Sequence, residues 1–212
     1  MERGEEVILL TLEHLQLTTI SVGLAVLFAV PTGIFLTRTP KVSPAVMGAV
    51  SAIQTIPSLA LFGLVIPVLM MFGLPIIGWV PALLALFLYA LLPILRNTFI
   101  GIKQVDQSLT EAGKGMGMTN GQILWRVELP LSFPVIMAGI RTSTVISVGI
   151  ATLAALIGAG GLGELIFRGL RTINYKLMLA GAIPAALLAL LLDFSLSLAG
   201  RFFTPKGLKI TR

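Results

Sequence analysis

The chain has 212 residues, 56% of them apolar and 11% charged, with a mean hydropathy of +1.00. Soluble domains carry roughly 25% charged residues, so this composition excludes an ordinary water-soluble globule, and with it disordered and collagenous chains. The net charge is +6, but no run of five or more basic residues occurs, which points to basic membrane-flanking loops and not to nucleic acid. There is no cysteine and a single histidine, His14, which excludes disulfides, thiolate chemistry, Cys-ligated metals and a His-rich metal or proton-relay site.

Residues 14–37, 42–95 and 142–163 contain no Asp, Glu, Lys or Arg. A helix needs roughly 20 apolar residues to cross about 30 Å of hydrocarbon. The expected fold is therefore all-α integral membrane, one transmembrane domain over 1–212 with five spans near 17–36, 44–72, 79–99, 134–157 and 177–199. Ahead of the first span, segment 5–16 mixes apolar residues with Glu13 and His14. It reads either as an interfacial helix or as a helical extension of the span, with His14 at the headgroup level and without a chemical role. The second span contains Pro57 and Pro67, and Gly73-Leu74-Pro75-Ile76-Ile77-Gly78 separates it from the third by a Gly/Pro turn signal.

Residues 100–130 form the one extended polar stretch. Connections in helix bundles usually take about two to eight residues, so a segment this long is expected to be functional. Asp106 is a good N-cap for a helix running to Lys114, which Gly115 and Gly117 stop. Thr119 or Asn120 caps a second short helix carrying Ile123, Leu124 and Val127 on one face, and Pro130 is expected to end it. The product is a helix-turn-helix lying on the membrane surface. Lys and Arg in short loops orient the chain. Arg38, Lys41, Arg96, Lys103, Lys114, Arg126, Arg201, Lys206, Lys209 and Arg212 fall on one side, against Arg3, Arg168, Arg171 and Lys176 on the other. The first side is read as cytoplasm, placing the N-terminus outside and the C-terminus inside.

In the fourth span, Gly139, Ser143, Ser147, Ala151 and Ala155 recur at every fourth position. Such a small-residue stripe lets helices pack closely. The sharper alternative is a narrow translocation path lined by Thr144, Ser147 and Thr152, faced by Gln54, Thr55 and Ser58 of the second span, with Pro57 freeing a carbonyl beside them. Arg141 and Asp193 are the most deeply placed charges. They are expected to pair, although Arg141 alone would snorkel. Beyond them, 158–163 is expected to break the helix and 162–170 to form a short outer helix, with Arg168 and Arg171 meeting acidic groups of a binding protein or lipid headgroups.

No Gly-x-x-x-x-Gly-Lys-Ser/Thr loop is present; the glycine-rich stretch Gly113-Lys114-Gly115-Met116-Gly117 lacks its ending. No Glu lies in an expected span, and the only Asp are Asp106 and Asp193, which argues against ion-coupled transport through intramembrane acids. No catalytic or metal-ligating constellation is expected.

The polar segment carries a resemblance. Glu111-Ala112-Gly113, three residues, Gly117, nine residues, then Val127-x-Leu129-Pro130 resembles the EAA loop of permease subunits in binding-protein-dependent ABC importers, with Gly113 replacing the second Ala and Val127 replacing Ile. Ser51-Ala52-Ile53-Gln54-Thr55-Ile56-Pro57-Ser58-Leu59-Ala60, Arg141-Thr142-Ser143-Thr144 and Ile157-Gly158-Ala159-Gly160-Gly161-Leu162-Gly163-Glu164 resemble stretches of the glycine betaine/carnitine/choline (osmoprotectant) permeases. The Gly-Ala-Gly-Gly-Leu-Gly piece is shared with methionine-type permeases.

That resemblance implies a type I importer fold in the prokaryotic cytoplasmic (inner) membrane. Glu111, Ala112, Gly113, Gly117, Leu129 and Pro130 would form the coupling segment that docks into a cytoplasmic ABC ATPase. It implies no cofactor in this chain, ATP and Mg being bound by that ATPase. The implied partners are a second permease chain, identical or paralogous, and an extracytoplasmic substrate-binding protein, all in or against the lipid bilayer and without nucleic acid. The alternatives are an ABC permease for another small zwitterion or an amino acid such as methionine, and, in another class, an ATPase-independent channel or membrane enzyme.

Overall fold

The computed structural model describes residues 2–203, with side chains from Gly4 to Phe202. Lys206, Lys209 and Arg212 of the expected cytoplasmic tail, and the side chain of Arg3, lie outside the described residues.

The first helix, α1, runs unbroken over Glu2–Arg38. Its 37 residues extend about 56 Å at 1.5 Å per residue, well beyond the hydrocarbon thickness of about 30 Å. Segment 5–16 is thus the N-terminal end of the first long apolar helix and not a separate interfacial one. The overhanging turns pack against the rest of the chain, and His14 is fully buried.

The expected span 44–72 is also corrected. It is two helices, α2 (Ser43–Thr55) and α3 (Ser58–Met71), bent by 112° at the break. Pro57 supplies no N–H, and Ile56 before it is extended (φ −72°, ψ 126°), as a residue preceding proline prefers. Thirteen and fourteen residues cover only about 20 Å each, so neither half crosses hydrocarbon alone. Gly73 and Gly78, with φ of 64° and 88°, then turn the chain into α4 (Trp79–Lys103).

The polar segment follows as α5 (Gln107–Gly115) and α6 (Asn120–Ile123). Pro130 does not end the second of these, contrary to expectation. A π turn over Leu124–Glu128 links α6 to α7 (Leu129–Ala154), and 120–157 form one continuous rod. Proline in a regular helix loses one hydrogen bond and crowds the preceding turn. Here the wider turn comes just before it, with the Leu129 N–H reaching back to the Leu124 carbonyl. A short 3₁₀ turn, Ala155–Ile157, closes the rod, glycines at 158, 160 and 161 take positive φ, and α8 (Gly163–Arg171) and α9 (Tyr175–Phe203) complete the described chain. Four helices, α1, α4, the rod containing α7, and α9, are long and apolar enough to cross a membrane; the bent pair supplies a fifth apolar segment.

In lipid there is little hydrophobic drive between helices, so close backbone approach must hold them. The core shows this. Ala25 and Ala29 of α1, Ala82, Ala85 and Ala90 of α4, and Ala151 and Ala154 of α7 are fully buried. Leu17, Leu61, Phe62, Val65, Leu69, Leu86 and Tyr89 fill the space around α1, α3, α4 and α7. Polar cross-links add to it: the Ser143 hydroxyl donates to the Ala90 carbonyl at 2.8 Å, and His14 Nε2 donates to the Val148 carbonyl at 3.0 Å.

Candidate functional site

The polar segment folds as a compact knob. Asp106 caps α5, accepting from the Ser108 N–H at 2.9 Å. That backbone bond, then the Ser108 hydroxyl, hold the exposed Asp106 carboxyl below the usual carboxylate range. Gly117 turns the chain at φ 80°, and the Met118 N–H returns to the Gly113 carbonyl at 3.0 Å, a left-handed helix end. Thr119 and Gln122 then cap α6 reciprocally: Thr119 Oγ1 accepts from the Gln122 N–H at 3.3 Å, and Gln122 Oε1 accepts from the Thr119 N–H at 2.8 Å.

The six expected coupling residues occupy different parts of this knob. Glu111 and Ala112 are exposed on α5, with Glu111 Oε1 accepting from Gln107 Nε2 at 2.9 Å. Gly113 is buried and faces α6: a Cβ there would lie 3.3 Å from Met118 Sδ and 3.4 Å from Ile123 Cγ1. Its small size serves the inside of the knob. Gly117 is the turn, and Leu129 and Pro130 begin α7 directly after the π turn. The expected apolar face holds, with Ile123 buried and Leu124 and Val127 half-buried.

Sequence reasoning missed two features here. Glu128 is buried and paired with Arg38 at the end of α1; a carboxylate inside an apolar-faced segment was its only sign. The knob also exposes Leu109, Met116 and Trp125.

The expected path residues divide into two groups. Gly139, Ser143, Ser147 and Ala151 are buried in the seam of α7, so the stripe packs helices. Thr144 is buried beside it, donating to the Ile140 carbonyl at 2.8 Å, while buried Ser147 Oγ has no hydrogen-bond partner among the described residues. Thr55 is exposed and Ser58 and Thr152 are half-buried; the Thr55 and Thr152 hydroxyls return to their own helices at 2.7 Å. No hydrogen bond among the described residues joins the two groups. Gln54 instead braces the break: its Nε2 donates to the Tyr89 carbonyl at 2.9 Å, while the Tyr89 hydroxyl donates to the Ile56 carbonyl. The carbonyl at the Pro57 break is thus satisfied by α4, a partner no sequence spacing revealed.

Arg141 and Asp193 do pair. Nε and Nη2 of Arg141 bond Oδ1 and Oδ2 of Asp193, each at 2.8 Å, joining α7 to α9. At the opposite end, Glu13 Oε2 accepts from the Gly161 N–H at 3.0 Å. Arg168 meets Glu6 of α1 at 2.7 Å, so an acidic partner for it lies within the chain itself.

A bundle of long apolar helices held by small-residue seams, with a capped polar knob rigidly continuous with one span, defines a membrane-embedded transport subunit. The chain belongs to the family described as binding-protein-dependent transport system inner membrane component, whose model matches residues 29–207. It is 51% identical over 211 residues to the carnitine transport permease protein OpuCB of Listeria monocytogenes, covering 100% of this chain and 94% of that one. It is 48% identical to the glycine betaine/carnitine/choline transport system permease protein OpuCB of Bacillus subtilis (strain 168), covering 97% and 92%. The fold matches a chain of the MetNI methionine ABC transporter in an inward-facing conformation, with a TM-score of 0.85, 24% identity, and 94% and 97% of the two chains covered.

Proposed function

We infer that this chain is the membrane-spanning subunit of an ATP-driven importer for quaternary ammonium solutes such as glycine betaine, carnitine and choline. The observation that carries this reading is the knob. It is a capped helix-turn-helix, internally packed through Gly113, and it continues without a break into α7. A push on such a handle moves a whole span. The solute class is supported by relatives sharing about half of their residues over nearly the full chain, against 24–25% for the methionine transporter chains.

In this reading the knob docks on a cytoplasmic ABC ATPase that binds ATP and Mg. Glu111 and Ala112 sit at the contact, helped by exposed Leu109, Met116 and Trp125. Gly117, Leu129 and Pro130 fix the angle between knob and span. A second permease chain, identical or paralogous, completes the path, and an extracytoplasmic binding protein delivers the solute. The N-terminus lies outside and the C-terminus in the cytoplasm. Alternation between outward- and inward-facing states is a rigid-body change. Gln54, Thr55, Ser58 and Thr152 border the path, and Thr144 and Ser147 reach it as the α7 seam opens.

The test is co-purification and uptake. The chain expressed with its neighbouring ATPase and binding protein should bring the ATPase through purification and import labelled carnitine into ATP-loaded proteoliposomes. Purification alone, or uptake of methionine in place of carnitine, overturns the reading. Because the chain has no cysteine, single cysteines report sidedness. M116C should react only after cells are permeabilised, and I173C should react in intact cells.

A further inference from the structure

The Arg141–Asp193 pair faces away from the packed core. Its side chains remain 37% and 35% exposed. They line an open groove of about 480 Å³ with Ala138, Thr142, Val145 and Ile146. Arg141 is the thirteenth of the 26 residues of α7, and Asp193 is the nineteenth of the 29 of α9. Charges at that depth are costly against hydrocarbon and are found facing a water-filled cavity or protein.

We propose that this groove is a solute site within the translocation path, in which Arg141 and Asp193 together recognise a zwitterion. This rests on the importer reading above. The pairing uses Nε and one Nη2 hydrogen of Arg141. Of the five guanidinium N–H donors, three remain for a solute carboxylate. A quaternary ammonium has no N–H and needs only nearby negative charge, which the Asp193 carboxylate supplies. Ala138, Val145 and Ile146 give its methyl groups an apolar wall, and the Thr142 hydroxyl adds a polar contact. The pair is neutral overall, as is the solute, so binding is weak enough for release. Choline, which has the ammonium but no carboxylate, uses only the Asp193 half.

The permease–ATPase assembly, purified in lipid nanodiscs without binding protein, is titrated with glycine betaine and with choline and read by saturation-transfer NMR on the N-methyl signals. The wild type is expected to show transfer to both. R141Q should weaken glycine betaine about tenfold or more, the worth of one charged hydrogen bond, and choline less than about twofold. R141Q/D193N leaves no unpaired charge behind and should lose both. A138L leaves the ion pair in place and fills the groove, so it should also lose both, and it stays informative should R141Q fail to assemble. No transfer in the wild type overturns the proposal. So does a wild-type betaine signal in A138L or R141Q that co-purifies normally with the ATPase, or an equal loss of both ligands in R141Q. Uptake in proteoliposomes separates the two readings. Groove binding without ATP-driven import sinks the importer and keeps the site; import without groove binding sinks the site and keeps the importer.

Discussion

Arg38 and Glu128 form an ion pair that fastens the C-terminal end of α1 to the π turn between the knob and α7. The knob is therefore held to the bundle at three points, covalently through α4 and α7 and ionically through α1. The two partners are unequal. Glu128 is buried, and the Arg38 side chain is half-exposed.

That inequality predicts an asymmetry. Removing Arg38 leaves a buried carboxylate unpaired, which costs about 3 kcal/mol. Removing Glu128 leaves an exposed guanidinium that water solvates, costing about 1 kcal/mol. R38A should thus lower the thermal midpoint of the detergent-solubilised protein clearly more than E128A. Equal losses would mean that Glu128 draws its stability from elsewhere.

The lock at the broken span gives a second prediction. Y89F deletes the donor to the Ile56 carbonyl and keeps the ring in the core, where Tyr89 is 8% exposed. A buried carbonyl left without a donor costs about 1–2 kcal/mol. Hydrogen exchange should rise at α2 and the Pro57 break while α1 stays protected. Uniform exchange across the chain would show that the hydroxyl does not hold the bend.

These two contacts mark where the sequence stopped being legible. The four long apolar helices, the Gly/Pro break before α4, the Asp106 and Thr119 caps and the Gly117 stop are local: each depends on residues within a few positions, and each was readable. The Arg141–Asp193 pair was readable too, because so few charges lie that deep. The bend at Pro57 was not. Proline in a membrane helix kinks or breaks it according to what satisfies the freed carbonyl, and that is Tyr89, 33 positions away. The same holds for Pro130, whose place in a continuous helix depends on a π turn that no spacing announces. The partner of His14 was not legible for a related reason: the Val148 carbonyl is 134 positions distant.

The knob should respond to pH through Asp106. Its folded carboxyl titrates below the usual range because the charged form accepts from Ser108. A depressed carboxylate contributes stability above its unfolded value, near pH 4, and loses it as pH falls through the folded value. Amides of Gln107–Gly115 should therefore lose protection, relative to their intrinsic exchange rates, below about pH 4. D106N keeps a good cap without an ionising group, so its exchange should show no such step. A step persisting in D106N would assign it to another group.

Glycines on α7 separate packing from propensity. At Gly139 a Cβ would lie 2.6 Å from Asn97 Cβ and 2.7 Å from the Pro93 carbonyl, whereas at Gly149 nothing lies within 4 Å. G139A should destabilise by about 1–3 kcal/mol through overpacking against α4. G149A should be neutral or stabilising by up to about 1 kcal/mol, since alanine is the better helix former. Thermal melts of the two variants decide the matter. A loss in G149A would reveal a contact outside the chain.

Gly117 tests the handle itself. Its φ of 80° is left-handed, and nothing within 4 Å would obstruct a Cβ, so a substitution acts through backbone conformation alone. An ordinary L-residue there costs about 1–2 kcal/mol, whereas Asn visits the region more readily. G117V should fold and insert, since the turn is exposed, yet it should tilt α5 against the rod formed by α6 and α7. Solute imported per ATP hydrolysed should fall in G117V and recover partly in G117N. A variant that merely assembled poorly would lose ATP hydrolysis and import in proportion, leaving that ratio unchanged, and the knob would then be an anchor and not a lever.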